Sequence, residues 1–428
     1  MARFRIGMIG CGTVGSGVLE ILHRRRDDLT RLLGQPLEVV RVAVRDPERP
    51  RHHVYGFIDP EAFTGDVESV VTDPALELLV EVAGGVDEPR DWIVAGLRSG
   101  KDVVTANKAT LAYHGDEIFG TARECRRTVY YEASVAAAIP IVEMIQNGLI
   151  ANQITRLAAI LNGTCNYVLT RMELDRMDYR RALELAQEKG FAEADPGLDV
   201  RGEDAAQKLA LLARLLTHGQ IPLDRIYTEG IERVTREDME FASTLGYRIK
   251  LLAIAQLSEE GAWNLRVHPT MIPRDSILAQ VQDEYNAAYI QADSAGPMLV
   301  YGNGAGSFPT ASSVVADIAR AARGDRPVTD SRGEEEVKFV DTEDLELRNY
   351  VRMKVLDVPG VLGRITSHFG MRQISISSIH QPDAKVGQPV PVVMVTHVSR
   401  DRVVSDALRD LEKVGLLVEP PTRIRIED

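Results

Sequence analysis

The chain is poor in cysteine: Cys11, Cys125 and Cys165 are the only three in 428 residues. Their wide spacing forms neither a disulfide framework nor a zinc pattern, so a reducing cytosol is the expected setting. A basic surplus is also missing. Lys and Arg total 50 against 63 Asp and Glu, a formal charge of −13, which argues against the basic face of a nucleic-acid scaffold. No apolar run approaches the ~20 residues that span a bilayer. The opening Met-Ala-Arg-Phe-Arg-Ile-Gly lacks a signal-peptide layout. Neither nucleic acid nor membrane is therefore an expected partner. What is present is ordinary globular composition, 44% apolar and 26% charged, with length enough for two or three domains.

Phe4–Ile9 is a short apolar run ending in glycine, the pattern of a buried parallel strand. Gly10-Cys-Gly-Thr-Val-Gly15-Ser-Gly17 follows and leads into a helical pattern at Val18–Leu22. Further strands are expected at Leu37–Val44, Leu78–Val82 and Val103–Thr105, with helices between them. This alternation predicts a Rossmann-type doubly wound parallel sheet, an α/β fold, over residues 1–131. Residues 132–323 have another texture. A strand is expected at Gln153–Leu161, helices at Tyr179–Lys189 and Glu203–Thr217, a hairpin of Tyr247–Leu257 with Trp263–Thr270, and more strand within Ala288–Tyr301. The pattern predicts a mixed-sheet α+β domain for substrate binding and subunit contact, in a homodimer or homotetramer. Its last helix is expected to return to the first domain. The charged stretch 324–346 reads as a linker. Over residues 347–428 the order βαββαβ predicts a ferredoxin-like module. It runs from an alternating strand at Leu347–Leu356 through the turn Asp357-Val-Pro-Gly360 to a helix carrying Val361, Leu362, Ile365 and Phe369. Strands at Ile374–Ile376 and Val390–Thr396, a helix marked by Val404, Leu408 and Leu411, and a last strand near Leu416 complete it.

Gly10-x-Gly12-x-x-Gly15 follows a strand and opens a helix, the context of a dinucleotide fingerprint. Gly10 permits the tight turn, Gly12 lets a pyrophosphate approach the backbone, and Gly15 lets helix and strand pack closely. Thr13 and Val14 sit at the helix start, where free N–H groups face phosphate. The second strand ends at Arg45-Asp46. An arginine there accommodates a ribose 2′-phosphate and an acid grips a 2′-hydroxyl, so NADP is favoured and NAD stays open. Thr105-Ala-Asn-Lys108 closes the fourth strand, at the carboxyl edge where such sheets bind ligands, and Lys108 is placed near a nicotinamide. The segment Tyr131–Pro140 is small and apolar apart from Glu132 and Ser134. Its carbonyls with one carboxylate suit a hard monovalent cation; on the residues alone, plain tight packing is the favoured reading. Asp204 and Lys208 share a helical face, downstream of Glu193, Asp195 and Asp199 in a Pro/Gly-interrupted loop. Acids of that kind hold an ammonium group and a lysine moves a proton; the bland alternative is a solvent-facing pair worth ~0.3–0.5 kcal/mol.

Several ordered runs resemble the long form of homoserine dehydrogenase, with a C-terminal ACT domain. They are Gly10–Gly17, Thr105–Lys108, Glu132–Pro140, Leu161-Asn-Gly-Thr-Cys-Asn-Tyr167, Ala192-Glu-Ala-Asp-Pro196 through Lys208, and Gly302-Asn-Gly-Ala-Gly306 with Pro309-Thr-Ala311. The Asp357–Gly360 turn and the helix after it are similar to an ACT domain. The resemblance implies reversible NAD(P)-dependent reduction of L-aspartate 4-semialdehyde to L-homoserine. It implies Lys208 as the proton-transfer lysine and Lys108 on the nicotinamide and substrate side. Glu193, Asp199, Asp204 and Thr164 would bind substrate, and Thr105 cofactor. Glu132 with the carbonyls of Val135, Ala137 and Ile139 would hold a cation of the sodium type. Gly302 and Gly304 would close over cofactor and substrate. Two departures stand out: the family usually has a glycine pair where Ala136-Ala137 stand, and often tyrosine where Phe191 stands. Alanine is expected to resist positive φ there.

Oxidising an alcohol removes its proton as hydride leaves, and a lysine accepts that proton only in its neutral form. Arginine, always charged, cannot replace it. A competing reading is an acylating dehydrogenase with Cys165 as nucleophile, which needs a histidine base. Another is a non-catalytic amino-acid sensor built around the ACT module. For that module two roles stay open: a threonine site at paired ACT domains, or dimerisation without ligand.

Overall fold

The structure is a computed structural model that describes residues 3–326, 336–383 and 385–427. The chain forms two compact units. The first comprises Met1–Ile154, Gln207–Leu223 and Ile290–Val337; the second comprises Thr155–Ala206, Asp224–Tyr289 and Lys338–Asp428.

The first unit is built on six parallel strands in the order Phe63–Thr64, Leu37–Ala43, Phe4–Ile9, Leu78–Glu81, Asp102–Thr105 and Val129–Tyr130. This is the doubly wound dinucleotide-binding order, with its crossover reversal beside Phe4–Ile9. The central strands are mostly apolar because both faces are covered: Ile6, Met8, Leu78 and Val80 are all 0% exposed. Helix Ser307–Arg323, far along the chain, packs on the first helix, Thr13–Arg24, placing Ala311, Val314 and Ile318 in the same core as Val18 and Leu19. Gly17 permits that contact, since a Cβ there would lie 3.0 Å from the Ala311 methyl.

The second unit is a mixed sheet. Its strands include, in order, Tyr285–Ala292, Ile154–Ile160, Tyr247–Leu257, Trp263–Pro273, Thr422–Ile426, Glu346–Leu356, Pro389–Thr396 and Ile376–His380. Tyr247–Leu257 and Trp263–Pro273 form the long antiparallel hairpin expected around Gly261. The C-terminal module carries its own apolar core, including Val351, Met353, Ile365, Phe369, Val404 and Leu411.

The last strand is not where the sequence placed it. Leu417 makes only an isolated bridge to Val355, and the final strand is Thr422–Ile426. It pairs antiparallel with Glu346–Leu356 on one side and parallel with Trp263–Pro273 on the other. The alternation of Arg423, Ile424, Arg425 and Ile426 is masked in sequence because the arginines are themselves consumed inside the fold. The module's second strand, expected at Ile374–Ile376, is also shifted, to Ile376–His380. Of the expected linker, residues 327–335 lie outside the described residues. Beyond them, Lys338 and Val340 exchange backbone hydrogen bonds with Trp263.

A buried ion pair fixes the module's first strand to the rest of the unit. Asp238, 0% exposed, closes the capping box of helix Arg236–Thr244 with Thr235. It also accepts from Tyr350 at 2.9 Å and Arg352 at 2.7 Å. Such a pair contributes little net stability, but removing one partner costs about 3–5 kcal/mol by leaving a buried charge unmatched.

Candidate active site

The glycine loop is shaped as the fingerprint requires. Gly10 has φ +98°, and a Cβ there would lie 2.7 Å from the Ala83 backbone. Gly15 is pressed against the Gly10 carbonyl, with room for no side chain. At Gly12 the same test meets nothing within 4 Å, so the open face of the loop is at the residue meant to admit a pyrophosphate. Helix Thr13–Arg24 starts there without a side-chain cap, leaving the N–H groups of its first turn for phosphate. Ser307 donates to the Thr13 carbonyl at 2.7 Å and so fixes the loop from the far end of the chain. These residues fit a dinucleotide.

At the end of the second strand Arg45 and Asp46 are both exposed. Asp46 is already occupied: its Oδ1 accepts from the backbone N–H groups of Glu48 and Arg49 at 3.1 and 3.2 Å. The next turn adds Arg51, whose guanidinium lies over the Phe63 ring.

Sequence reasoning missed the buried centre beneath Lys108. Glu81, 0% exposed, ends its strand and accepts from the Thr105 hydroxyl at 2.7 Å and the Ala83 N–H at 2.8 Å. Burial pushes its carboxyl above the usual range, against those hydrogen bonds. Thr105 Oγ1 in turn accepts from Asn107 N–H, and Asn107 caps helix Lys108–Cys125 through the Thr110 N–H. Lys108 is thus the first residue of a capped helix, half-buried. Asp116 on that helix pairs with Arg214, which follows Lys208 on helix Glu203–Thr217. Lys208 itself is buried, at 9% exposure.

The cation segment holds a backbone surprise. Ala137 adopts φ 45°, the conformation expected to be closed to alanine. Non-glycine residues occupy it at a cost of about 1–3 kcal/mol when the surroundings over-determine them. Ala137 is 3% exposed, its carbonyl accepts from Ser313 at 2.6 Å, and Ala138 N–H donates to Asn303. The Gly302–Gly306 run lies against this segment, with Gly302 beside Ile139. Glu132 is 4% exposed and accepts from the Val142 and Glu143 N–H groups at 2.8 and 2.7 Å. Burial nevertheless pushes it up to about 7, and raises nearby Asp317 to about 6. Arg320, which pairs with Asp317 and Glu143, is the positive charge that reaches Glu132. The Ala137 and Ile139 carbonyls accept from the Ser313 hydroxyl and the Ile141 N–H. The candidate donors here are all hard oxygens, the chemistry a monovalent cation takes. Among the described residues no cluster of three or more His, Cys, Asp or Glu is placed to hold a metal, and a carbonyl-built site needs none.

In the second unit one residue gathers the acids. Asn162 caps helix Gly163–Leu174 by accepting from Cys165 N–H at 2.8 Å. With its oxygen committed, its amide nitrogen donates to Asp199 at 2.7 Å and to Asp204 at 2.8 Å. Two carboxylates facing one amide N–H₂ form a pocket of negative charge suited to an ammonium group. Asp204 is buried, and Lys208 follows it by one helical turn. Asn162 lies in the Leu161–Tyr167 run, and an asparagine just before a helical pattern is the sequence signal of an N-cap. Thr164 spends its hydroxyl hydrogen on the Phe191 carbonyl at 2.7 Å, and Phe191 packs on Tyr167. Glu193 is exposed. Gly304 is half-buried in the run before helix Ser307–Arg323. Cys165 is 0% exposed and its thiol donates to the Asp199 carbonyl at 3.1 Å, an architectural role that leaves no reason to make it a nucleophile.

This fold and these sites define a nicotinamide-dinucleotide-dependent oxidoreductase acting on a CH–OH group, with an ACT domain in the same chain. Family models for the NAD-binding domain of homoserine dehydrogenase, for homoserine dehydrogenase and for the ACT domain match residues 10–132, 140–319 and 349–416. The homoserine dehydrogenase of Pseudomonas aeruginosa is 38% identical, over 100% of this chain and 99% of its own. The crystal structure of a homoserine dehydrogenase from Thiobacillus denitrificans superposes with TM-score 0.93 at 37% identity, covering 100% of this chain and 99% of that one. A hyperthermophilic archaeal homoserine dehydrogenase solved in complex with NADPH matches at TM-score 0.64 and 26% identity, covering 76% of this chain and 99% of its own. The chain belongs to the homoserine dehydrogenase family. The competing readings, acylating dehydrogenase and non-catalytic sensor, fall with that result. Among the described residues no helix is long and apolar enough to cross a membrane.

Proposed function

We propose that this chain interconverts L-homoserine and L-aspartate 4-semialdehyde with NADP, using Lys208 as the proton carrier. The observation that carries the reading is the Asn162-centred pair of Asp199 and Asp204, the latter one helical turn before Lys208. The acids, with Glu193 from the adjoining loop, hold the substrate ammonium. Lys208 takes the hydroxyl proton in oxidation and returns it to the carbonyl oxygen in reduction. Lys108 sits on the nicotinamide side, its helix start fixed by Asn107 and the Glu81–Thr105 bond. Bound NADP supplies the hydride acceptor or donor. Gly10, Gly12, Gly15 and the first turn at Thr13 and Val14 bind its pyrophosphate, and Gly302 and Gly304 close over cofactor and substrate. Arg45 beside an already occupied Asp46 supports the 2′-phosphate, and the archaeal relative that carries NADPH is consistent with it.

A sodium-type cation at Glu132, Val135, Ala137 and Ile139 completes the reading; its residues hold the loop that leads to Gly302. The ACT domain takes threonine as effector. Its Asp357–Gly360 turn borders a groove of about 480 Å³ that Gly363, Arg364, Ser367 and Leu411 help to line. The functional unit is a homodimer or homotetramer, consistent with exposed Ile150 and Tyr301 on the first unit. The test is Lys208→Ala assayed with homoserine and NADP by reduced-nicotinamide absorbance. A fall in kcat of ~10²–10⁴ is expected, with Lys208→Arg giving no recovery. Near-normal turnover in the alanine variant removes the assignment.

A further inference from the structure

We infer that Glu229 and Gly230 are positioning residues that hold the substrate acids at the end of a chain of contacts starting in the ACT domain. The inference rests on the ammonium-clamp reading of Asp199 and Asp204 and adds what sets their position.

The contacts begin at Asp401, the first residue of the ACT helix Asp401–Lys413 and 0% exposed. Asp401 receives Arg425 through two hydrogen bonds of 3.0 Å. That fork-to-fork geometry fixes the guanidinium plane. Arg425 belongs to the last strand, Thr422–Ile426, opposite Thr270 of the neighbouring strand. The same guanidinium lies 4.4 Å from the centre of the Tyr227 ring and 3.3 Å from a Glu229 carboxylate oxygen. The Tyr227 hydroxyl donates to that oxygen at 2.8 Å. One arginine therefore ties the ACT helix to the segment Tyr227–Ile231.

On its other side this segment is pressed against the loop of acids. Glu229 N–H donates to Val267 and Ile231 N–H donates to the Val200 carbonyl, each at 2.8 Å. Between them Gly230 leaves no space: a Cβ would fall 2.1 Å from the Val200 carbonyl oxygen and 2.5 Å from the Arg201 Cα. Gly202, at φ +84°, would in turn meet the Glu229 carbonyl at 3.3 Å. Val200 to Gly202 is the stretch between Asp199 and Asp204. Packed backbone of this density transmits a displacement instead of absorbing it. None of these contacts touches the glycine loop, so a change in the ACT helix is read as affinity for the amino-acid substrate and leaves the nucleotide untouched.

The experiment uses the full chain with two variants. Glu229→Gln keeps size and the tyrosine contact but removes the charge that draws Arg425. Gly230→Ala displaces the Val200–Gly202 stretch directly. In each, KM for homoserine is expected to rise about fivefold or more, while kcat and KM for NADP stay within about twofold, the signature of a lost ground-state contact. Circular dichroism and Tm establish that each variant is folded; if Gly230→Ala does not fold, Glu229→Gln alone decides. KM values for homoserine and NADP that move together, or neither moving, overturn the inference. A wild-type chain that fails to oxidise homoserine would overturn the proposed function itself, a separate outcome.

Discussion

Asn162→Ser isolates the contribution of the acid pair. Serine is as good an N-cap as asparagine, so the bond to Cys165 N–H, and with it helix Gly163–Leu174, is retained. What is lost is the amide that now bridges Asp199 and Asp204 at 2.7 and 2.8 Å. A single hydroxyl hydrogen reaches one carboxylate at most. Each hydrogen bond to a charged group is worth about 1.5–3 kcal/mol. With one of the two bonds unreplaced, the loss is about a factor of 10 to 100 in the affinity of the assembled pair, at about 1.4 kcal/mol per tenfold. The expected result is a rise in homoserine KM of that size, a kcat within a few-fold of normal, and an unchanged KM for NADP. Initial rates with homoserine varied at saturating NADP, and the reverse, measure all three. A homoserine KM within twofold of wild type would show that the acids do not grip the substrate. A fall in kcat alone would move Asn162 from holding the ammonium to arranging the reacting centre.

Arg45→Glu should raise KM for NADP by about tenfold and narrow the preference over NAD, since a charge-assisted contact is replaced by repulsion; equal effects on both cofactors would take Arg45 away from the 2′-phosphate. Glu132 predicts a pH dependence of stability. Its carboxyl is raised from 4.5 to about 7 by burial. Between those values the unfolded chain has released the proton while the folded chain holds it, so stability falls as pH rises through the window. Sodium bound at the site would oppose this by favouring the carboxylate. Tm should therefore rise with added sodium most clearly above pH 7, and Glu132→Gln should abolish that salt-specific gain. A gain matched by choline chloride, or one preserved in Glu132→Gln, would argue against the cation.

Much of the fold could be read along the chain. Helix Glu203–Thr217 has the bounds its pattern predicts, and the central parallel strands announce themselves as short apolar runs, the first ending at Gly10. The fingerprint glycines were legible because each acts on its own turn of backbone. Errors arose where the deciding partner lay elsewhere. Alanine at position 137 was expected to refuse positive φ, yet Ser313, 176 residues away, holds its carbonyl in place. The strand Thr422–Ile426 was missed because its arginines look like surface charge until Asp401 and Glu229 are brought to Arg425.

The sequence by itself determined which segments become strands and helices, where a dinucleotide must lie, and which lysines and carboxylates are available for chemistry. These follow from backbone preferences and apolar spacing over a few residues. Only the tertiary structure decided which acids share a site. Asn162 reaches Asp199 and Asp204 across 37 and 42 residues, and no local preference encodes a hydrogen bond over that span. The same holds for the ACT module's place in the sheet: a strand written last in the chain is inserted between two that were written earlier, and only backbone pairing across the fold specifies its neighbours.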